Sequence, residues 1–218
     1  MKCGAPLPAD ESARFCPFCG ASLDVQLPYE RRWETGAEPR RSLRVATLRN
    51  RVLVMLMAFV LCLAITAVGA VSKVESSEAH EIIGEFDKME ELLNDVGLQF
   101  IFGNNLMYCM IMFIPALGPY YGLMVLYSTG KVLAALGVTS GVNPLGLFFS
   151  LFMYPHAWLE YISYSLAISE SFWLIYAIIK DRGRGLRSEL STAAKVMAIC
   201  AVLLLLAAFA EMFLITSS

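Results

Sequence analysis

Long apolar runs separated by short charged islands constrain this chain more than any other feature of its sequence. Apolar residues dominate residues 52–71, 98–117, 120–138, 142–179 and 191–215, and charged residues cluster between these runs. A run of about 20 apolar residues is long enough to cross the hydrocarbon core of a bilayer as a helix. Because 57% of the residues are hydrophobic, above the usual content of soluble domains, the sequence predicts an all-α polytopic membrane protein.

The apolar stretch at residues 142–180 is too long for one span and awkward for two. Two crossings would place the basic island that follows it on the outer side, against the positive-inside rule. Pro155 lies near the middle of the stretch, and proline disfavours helix in the residue before it. We therefore expect a short or re-entrant helix over residues 145–153, ended by Pro155, and then a span over residues 157–179 that runs from outside to inside.

The charged islands predict an orientation for about five transmembrane helices. Seven arginines lie in residues 25–51, directly before the first span, and a second basic island follows residue 179. Because Lys and Arg are enriched on the cytoplasmic side, we expect a multi-pass protein of the cell membrane with its N-terminus inside and its C-terminus outside. Residues 72–96 are acidic and carry apolar positions at helical spacing, which predicts an amphipathic helix on the outer side.

The first 24 residues resemble a small zinc ribbon. Cys16 and Cys19 form a complete Cys-x-x-Cys-Gly knuckle, and Cys3, which is followed by glycine, matches the end of a first knuckle. Structural zinc requires four ligands in a closed tetrahedron, and this segment supplies three. We expect a structural zinc ion here if the missing ligand is supplied, and we attribute its absence to a start site placed too far downstream. The alternative is a degenerate ribbon that binds metal weakly or not at all.

These features divide the chain into a ribbon-like head at residues 1–24, a basic linker at 25–51 and a membrane domain at 52–218. Ribbons of this kind are more often structural or docking modules than catalytic ones. Arg14 stands alone within the ribbon, and the arginines beyond it are explained by membrane topology. We therefore expect no nucleic-acid binding.

Polar and ionisable side chains inside the apolar runs are the candidate functional residues. His156 and Glu160 lie four residues apart and share one face of a helix, and Glu170 continues that face. The other candidates are Asn104, Asn105 and Lys131. Such residues usually face the bundle interior or a cavity and pair with one another. We therefore predict one intramembrane polar cluster of these six residues. Lys131 either extends its amine outward to the membrane surface or pairs inward with Glu160 or Glu170, and we favour the inward pairing.

Residues 100–180 resemble the stage II sporulation protein M family of integral membrane proteins. The resemblance is carried by Gly103-Asn104-Asn105, by Thr129-Gly130-Lys131, and by Pro155-His156 followed by Leu159-Glu160. Ala157 replaces the glycine of the family's Pro-His-Gly step, and Thr129 replaces the asparagine of its Asn-Gly step. The resemblance implies a multi-span fold, and it implies a role as a membrane anchor or organiser, since the best-studied members act with peptidoglycan-degrading partners during forespore engulfment.

Three classes of function are compatible with the predicted cluster. In the first, the protein is a membrane scaffold that organises membrane or cytoplasmic partner proteins, and the cluster fixes helix packing. In the second, it is a transporter or channel component, since a broken helix with an ionisable pair at His156 and Glu160 is how many transporters build a midplane site. In the third, it is an intramembrane enzyme, but a catalytic zinc site requires three protein ligands and no third ligand has supporting spacing. We therefore predict a non-enzymatic scaffold whose partners are the lipid bilayer, other proteins and, in an oligomer, further copies of itself.

Overall fold

The structure, a computed structural model, describes Phe15 and residues 47–180 and 185–217, with side chains for all of these except residues 90–96. The helices in these ranges are α1 (Leu48–Ala70), α2 (Ser76–Val96), α3 (Leu98–Met112), α4 (Leu117–Ser140), α5 (Pro144–Leu151), α6 (Pro155–Lys180) and α7 (Leu186–Ser217). Residues 47–180 and 185–217 contain no β-strand. The predicted zinc ligands Cys3, Cys16 and Cys19 lie outside the described residues.

Four of these helices, α1, α4, α6 and α7, are long and apolar enough to cross a membrane. The prediction of an all-α, multi-pass membrane fold is thereby confirmed. The expected second span corresponds to α3, which is apolar but has 15 residues. This is shorter than the roughly 17–25 residues that a crossing helix normally uses. The amphipathic helix expected in residues 72–96 is present as α2.

The break between α5 and α6 differs from the prediction at one residue. Helix α5 begins after Asn143, whose side chain accepts a hydrogen bond from the backbone N–H of Leu145 at 2.9 Å, and it ends at Leu151. Pro155 is the first residue of α6, so the prediction that Pro155 ends the preceding helix is wrong. Proline is well suited to the first turn, because its missing N–H would have no intrahelical partner there.

Helix α6 lies at the centre of the bundle and packs against α1, α3, α4 and α7. Its buried face includes Ser163, Ser165, Ser169 and Ser171. Small residues of this kind let neighbouring helices approach closely. The thiols of Cys109 on α3 and Cys200 on α7 both lie within hydrogen-bonding reach of the carbonyl oxygen of Ser163, at 3.8 and 3.5 Å. Three helices therefore meet at this turn of α6.

Helices α1 and α4 cross with their backbones in direct contact. A Cβ atom added to Gly130 would lie 2.2 Å from the carbonyl oxygen of Thr66, and one added to Gly69 would lie 2.3 Å from the carbonyl oxygen of Tyr127. Neither position has room for a side chain, because the obstructing atoms belong to the main chain. Gly130, part of the Thr129-Gly130-Lys131 segment, is therefore a crossing point of two helices.

The chain direction gives the bundle two distinct ends. The first, called the α2 end below, contains α2, the C-terminal ends of α1 and α4, and the N-terminal ends of α3 and α6. The opposite end, called the Arg51 end, contains the N-terminal ends of α1, α4 and α7 and the C-terminal ends of α3 and α6. Helix α2 packs on α4 and α3, and Ala79 is buried among the α2 side chains that the structure describes. These two ends position the polar side chains described next.

Candidate functional site

The six residues predicted to form one polar cluster do not come together, and five of them occupy three separate places along the bundle. Asn105 and Glu160 are in contact in the interior, and Asn104 lies beside them. Glu170 is at the Arg51 end, where it binds Arg51. Lys131 is at the α2 end, where it forms an ion pair with Glu78. The predicted pairing of Lys131 with Glu160 or Glu170 is therefore wrong.

The central group consists of Glu160, Asn105 and Tyr164. The side-chain N–H of Asn105 donates to Oε1 of Glu160 at 2.8 Å, and the hydroxyl of Tyr164 donates to Oδ1 of Asn105 at 3.1 Å. One turn away, the hydroxyl of Tyr161 donates to Oγ1 of Thr66 at 2.8 Å. These bonds connect α6 to both α3 and α1. Tyr161 and Tyr164 were missed by the sequence reasoning, because aromatic residues inside an apolar run are usually core residues.

A cavity of about 650 Å³ adjoins the central group and is called the α4 cavity below. Its walls come from α2, α3, α4 and α6, with one further contact from Leu151 of α5. The lining positions on α4 run from Tyr120 to Leu136, which corresponds to about 24 Å of helix. Asn104, Asn105 and Glu160 are the amide and carboxyl groups that face it. Its volume lies within the roughly 300–1,000 Å³ typical of ligand pockets.

His156 takes no part in the central group. It lies in the first turn of α6, and its ring stacks on that of Tyr154 with the centroids 5.8 Å apart. Its Nδ1 atom is buried and has no hydrogen-bond partner in the described part of the chain. His156 and Glu160 share a helix but form neither an ion pair nor a hydrogen bond within the described ranges. Residues 47–180 and 185–217 also contain no group of three or more side chains placed to bind a metal.

The Arg51 end contains a buried ionic group, called the Arg51 network below. Nη1 of Arg51 donates to both carboxylate oxygens of Glu170, at 2.7 and 2.8 Å, and Nη2 donates to Glu189. The Arg51 guanidinium also lies 5.5 Å from the ring centroid of Trp173, within the range of a cation–π interaction. Glu170 and Glu189 are 4% and 3% exposed. The network joins the first turns of α1 and α7 to α6.

Sequence reasoning missed Arg51 and Glu189 as partners of Glu170. The basic segment before the first span explains Arg51 as one of the arginines that set membrane topology, and Glu189 lies next to a second basic island. A signal was nonetheless present, since both residues fall within the first turn of an apolar helix. A charge at that depth needs a partner from a neighbouring helix more than a charge in a linker does.

The ion pair of Lys131 and Glu78 holds α2 against α4 beside a second, smaller cavity of about 280 Å³. Phe86 and Met89 of α2 line both this cavity and the α4 cavity. Helix α2 therefore covers part of the opening of the α4 cavity. Glu78 was part of the predicted amphipathic helix, but its role as the partner of Lys131 was not predicted.

Comparison with known families gives one result. The family model described as "Stage II sporulation protein M" (SpoIIM) matches residues 51–215 of the chain. The matched region contains the Arg51 network, the central group and the α4 cavity. No curated protein and no solved structure matched the chain significantly.

Proposed function

The chain belongs to the stage II sporulation protein M family of membrane proteins, and we propose that it acts as a multi-pass scaffold that organises partner proteins at the membrane. The observation that supports this role is the fixed pairing of charged side chains at both ends of the bundle. Arg51 is paired with Glu170 and Glu189, and Lys131 with Glu78. These pairs join five different helices, α1, α2, α4, α6 and α7, as expected of side chains that set helix packing.

We propose that the Arg51 end faces the cytoplasm. The sequence on that side supplies the seven arginines of residues 25–51 and the basic residues of 180–187, whereas the exposed side chains of α2 at the other end include Glu81, Glu85 and Asp87. The positive-inside rule favours this orientation. The N-terminal head would then be cytoplasmic, in a reducing compartment that suits zinc-bound thiolates. We propose that the head binds a structural zinc ion through Cys3, Cys16, Cys19 and a fourth ligand.

The scaffold role can be tested by purifying the full chain from native membranes in mild detergent, with and without residues 1–24. A scaffold predicts at least one protein that copurifies at a stoichiometry comparable to the chain, and that rebinds when both are purified and recombined. A head that docks a partner predicts loss of that protein from the shortened chain. Recovery of the chain alone in both preparations would contradict the scaffold role.

The α4 cavity favours a second candidate, a transporter or channel component with a polar site at Glu160. A cavity that reaches a carboxyl and an amide within a bundle of apolar helices resembles the way transporters place a site at membrane depth. The missing contact between His156 and Glu160 removes half of the site that the sequence predicted. Flux of ions or small solutes into liposomes containing the protein, abolished by Glu160→Gln, would establish this function in place of the first.

We propose that the protein is not an enzyme. A general acid–base pair requires two groups within hydrogen-bonding reach of the reacting atoms. The two side chains that the sequence offered for this task, His156 and Glu160, have different neighbours: the ring of Tyr154 and the amide of Asn105. The carboxylates of the Arg51 network are held by Arg51, which suits a structural role better than a catalytic one.

A further inference from the structure

The α4 cavity contains hydrogen-bonding groups that the described part of the chain leaves unpaired. Oε2 of Glu160 and the side chain of Asn104 form no hydrogen bond there, and the same holds for the hydroxyls of Tyr108 and Tyr121. Inside a bilayer, an unpaired polar group costs several kcal/mol because no bulk water is available. The cavity therefore favours an occupant that brings polar atoms of its own.

The shape of the α4 cavity favours an extended chain over a helix. A volume of about 650 Å³ spread over about 24 Å of α4 gives a mean cross-section of about 27 Å². A helix with its side chains is about 10–12 Å wide, which corresponds to a cross-section of roughly 80–110 Å². The α4 cavity is therefore narrower than a helix with its side chains, and it suits an extended chain better.

The cavity opens toward the surface that the bundle presents to lipid. Tyr120 and Met124, at the half of the cavity nearer the Arg51 end, are 67% and 50% exposed. The amide and carboxyl groups lie in the other half, because Asn105 and Glu160 are each within about two turns of the α2 end of their helices. Polar groups at one end and an apolar, laterally open groove at the other match the two parts of a membrane lipid.

The charges around the cavity select the kind of headgroup. No cationic side chain contacts Glu160 in the described ranges, and the carboxyl of Glu211 lies within electrostatic range of it. Glu85 lines the adjoining smaller cavity. The nearby cation, Lys131, is already paired with Glu78. This arrangement disfavours an anionic headgroup and favours one that presents a positive N–H donor to the carboxyl group of Glu160.

We propose that the α4 cavity is a binding site for one membrane lipid with a primary amine in its headgroup, of which phosphatidylethanolamine is the simplest representative. The amine donates hydrogen bonds to the free oxygen of Glu160 and to Asn104, and one acyl chain lies along α4 toward Tyr120. This site does not depend on the scaffold role, since it requires only the residues that line the cavity.

The test uses the full chain, purified in detergent and stripped of lipid, and measures bound lipid by native mass spectrometry. Equimolar phosphatidylethanolamine and phosphatidylcholine with identical acyl chains compete for the site. Both are zwitterionic, but the choline headgroup has no N–H donor, so the comparison isolates the proposed hydrogen bond. We expect about a tenfold preference for the ethanolamine lipid, the size of effect that one hydrogen bond to a charged group provides. Phosphatidylglycerol, which is anionic and has hydroxyl donors, should bind less than the ethanolamine lipid.

Two variants and one control make the test specific to the cavity. Glu160→Gln should reduce the preference to below about threefold, because a neutral amide forms weaker hydrogen bonds with an ammonium group than a carboxylate does. Met124→Trp, which fills the apolar half, should reduce the binding of both lipids and keeps the proposal testable if Glu160→Gln does not fold. The control, Glu81→Gln on the exposed face of α2, should retain the full preference.

Three results would overturn the proposal. Equal binding of the ethanolamine and choline lipids would show that the headgroup is not recognised. A tenfold preference that survives Glu160→Gln would place the recognition elsewhere. Unchanged binding in Met124→Trp would show that the lipids coat the outside of the bundle, or that another occupant, such as a helix of a partner protein, covers the cavity.

Discussion

Replacing Arg51 by methionine should destabilise the bundle by about 3 kcal/mol. The change leaves Glu170 and Glu189, which are 4% and 3% exposed, without the cation that neutralises them. Removing one partner of a buried ion pair typically costs about 3–5 kcal/mol. We take the lower end of this range because the Arg51 side chain is 16% exposed, so solvent can reach the site and compensate in part. Methionine retains the unbranched stem of arginine and removes the guanidinium, so packing along the stem is largely kept while the charge is lost.

The assay is thermal unfolding of the full chain in detergent, followed by tryptophan fluorescence. For a chain of this size, 1 kcal/mol shifts the melting temperature by about 2–4 °C, so Arg51→Met should lower it by about 6–12 °C. The matched control is Arg49→Met, two residues earlier on the same helix and exposed, which should change stability by less than about 0.5 kcal/mol. Equal shifts for the two variants would refute the buried network.

The charge balance of the network gives a second readout. One guanidinium faces two carboxylates, so Glu189→Gln alone should be mild, because it leaves Arg51 paired with Glu170. Adding Glu170→Gln and Glu189→Gln to Arg51→Met should recover much of the lost stability, since neutral groups carry a smaller burial cost than unpaired charges. A triple variant no more stable than Arg51→Met would mean that lost packing, and not unpaired charge, caused the effect.

Three further perturbations test the remaining parts of the structure. Gly130→Ala should lower stability by more than about 2 kcal/mol, since its Cβ would lie 2.2 Å from a main-chain oxygen of α1, and such overpacking typically costs about 1–3 kcal/mol or more. Gly84→Ala on α2, where an added Cβ would meet nothing within 4 Å beyond the local helix backbone, should be neutral or stabilising in the same unfolding assay. Glu160→Ala should destabilise the protein by about 1–3 kcal/mol, because it leaves Asn105 without its hydrogen-bond acceptor. Glu81→Ala, on the exposed face of α2, should have little effect. Equal effects of the two variants would contradict the buried central group. Cys16→Ser should lower the zinc content of the full chain measured by elemental analysis, and an unchanged content would remove the proposed zinc site.

The sequence was sufficient to predict most of the helices, because the signal for each is long and local. The run at residues 191–215 predicted the core of α7, and the acidic, periodic segment at residues 72–96 predicted α2. The boundary at Pro155 was assigned to the wrong helix. Proline is compatible with the start of a helix as well as with its end, and the residues on either side of Pro155 do not indicate which helix would form the more stable turn.

The partners of the polar residues were harder to predict than the residues themselves. The rarity of charge in an apolar run identifies Lys131 and Glu160 as residues that need partners, but it does not fix how far one helix is displaced along another. Lys131 lies in the same turn as the glycine that crosses α1, and this crossing places it next to α2 and Glu78. Arg51 was overlooked for a different reason, because arginines before a first span have a sufficient explanation in topology.

The spacing along α6 explains why the polar residues do not act as one site. Glu160 and Glu170 are ten residues apart, which separates them by about 15 Å along the helix axis, so no single cation could pair with both.

The two carboxyl groups of α6 have different surroundings. Glu170 is matched by Arg51 in a closed contact that joins three helices, whereas Glu160 has one free oxygen facing a cavity open to the bilayer. A closed, neutralised pair can hold a bundle together but has no capacity left to bind a ligand. In the central group, Glu160 therefore keeps a carboxyl oxygen that is free to bind a ligand, and it is the residue at which a function beyond assembly should be tested.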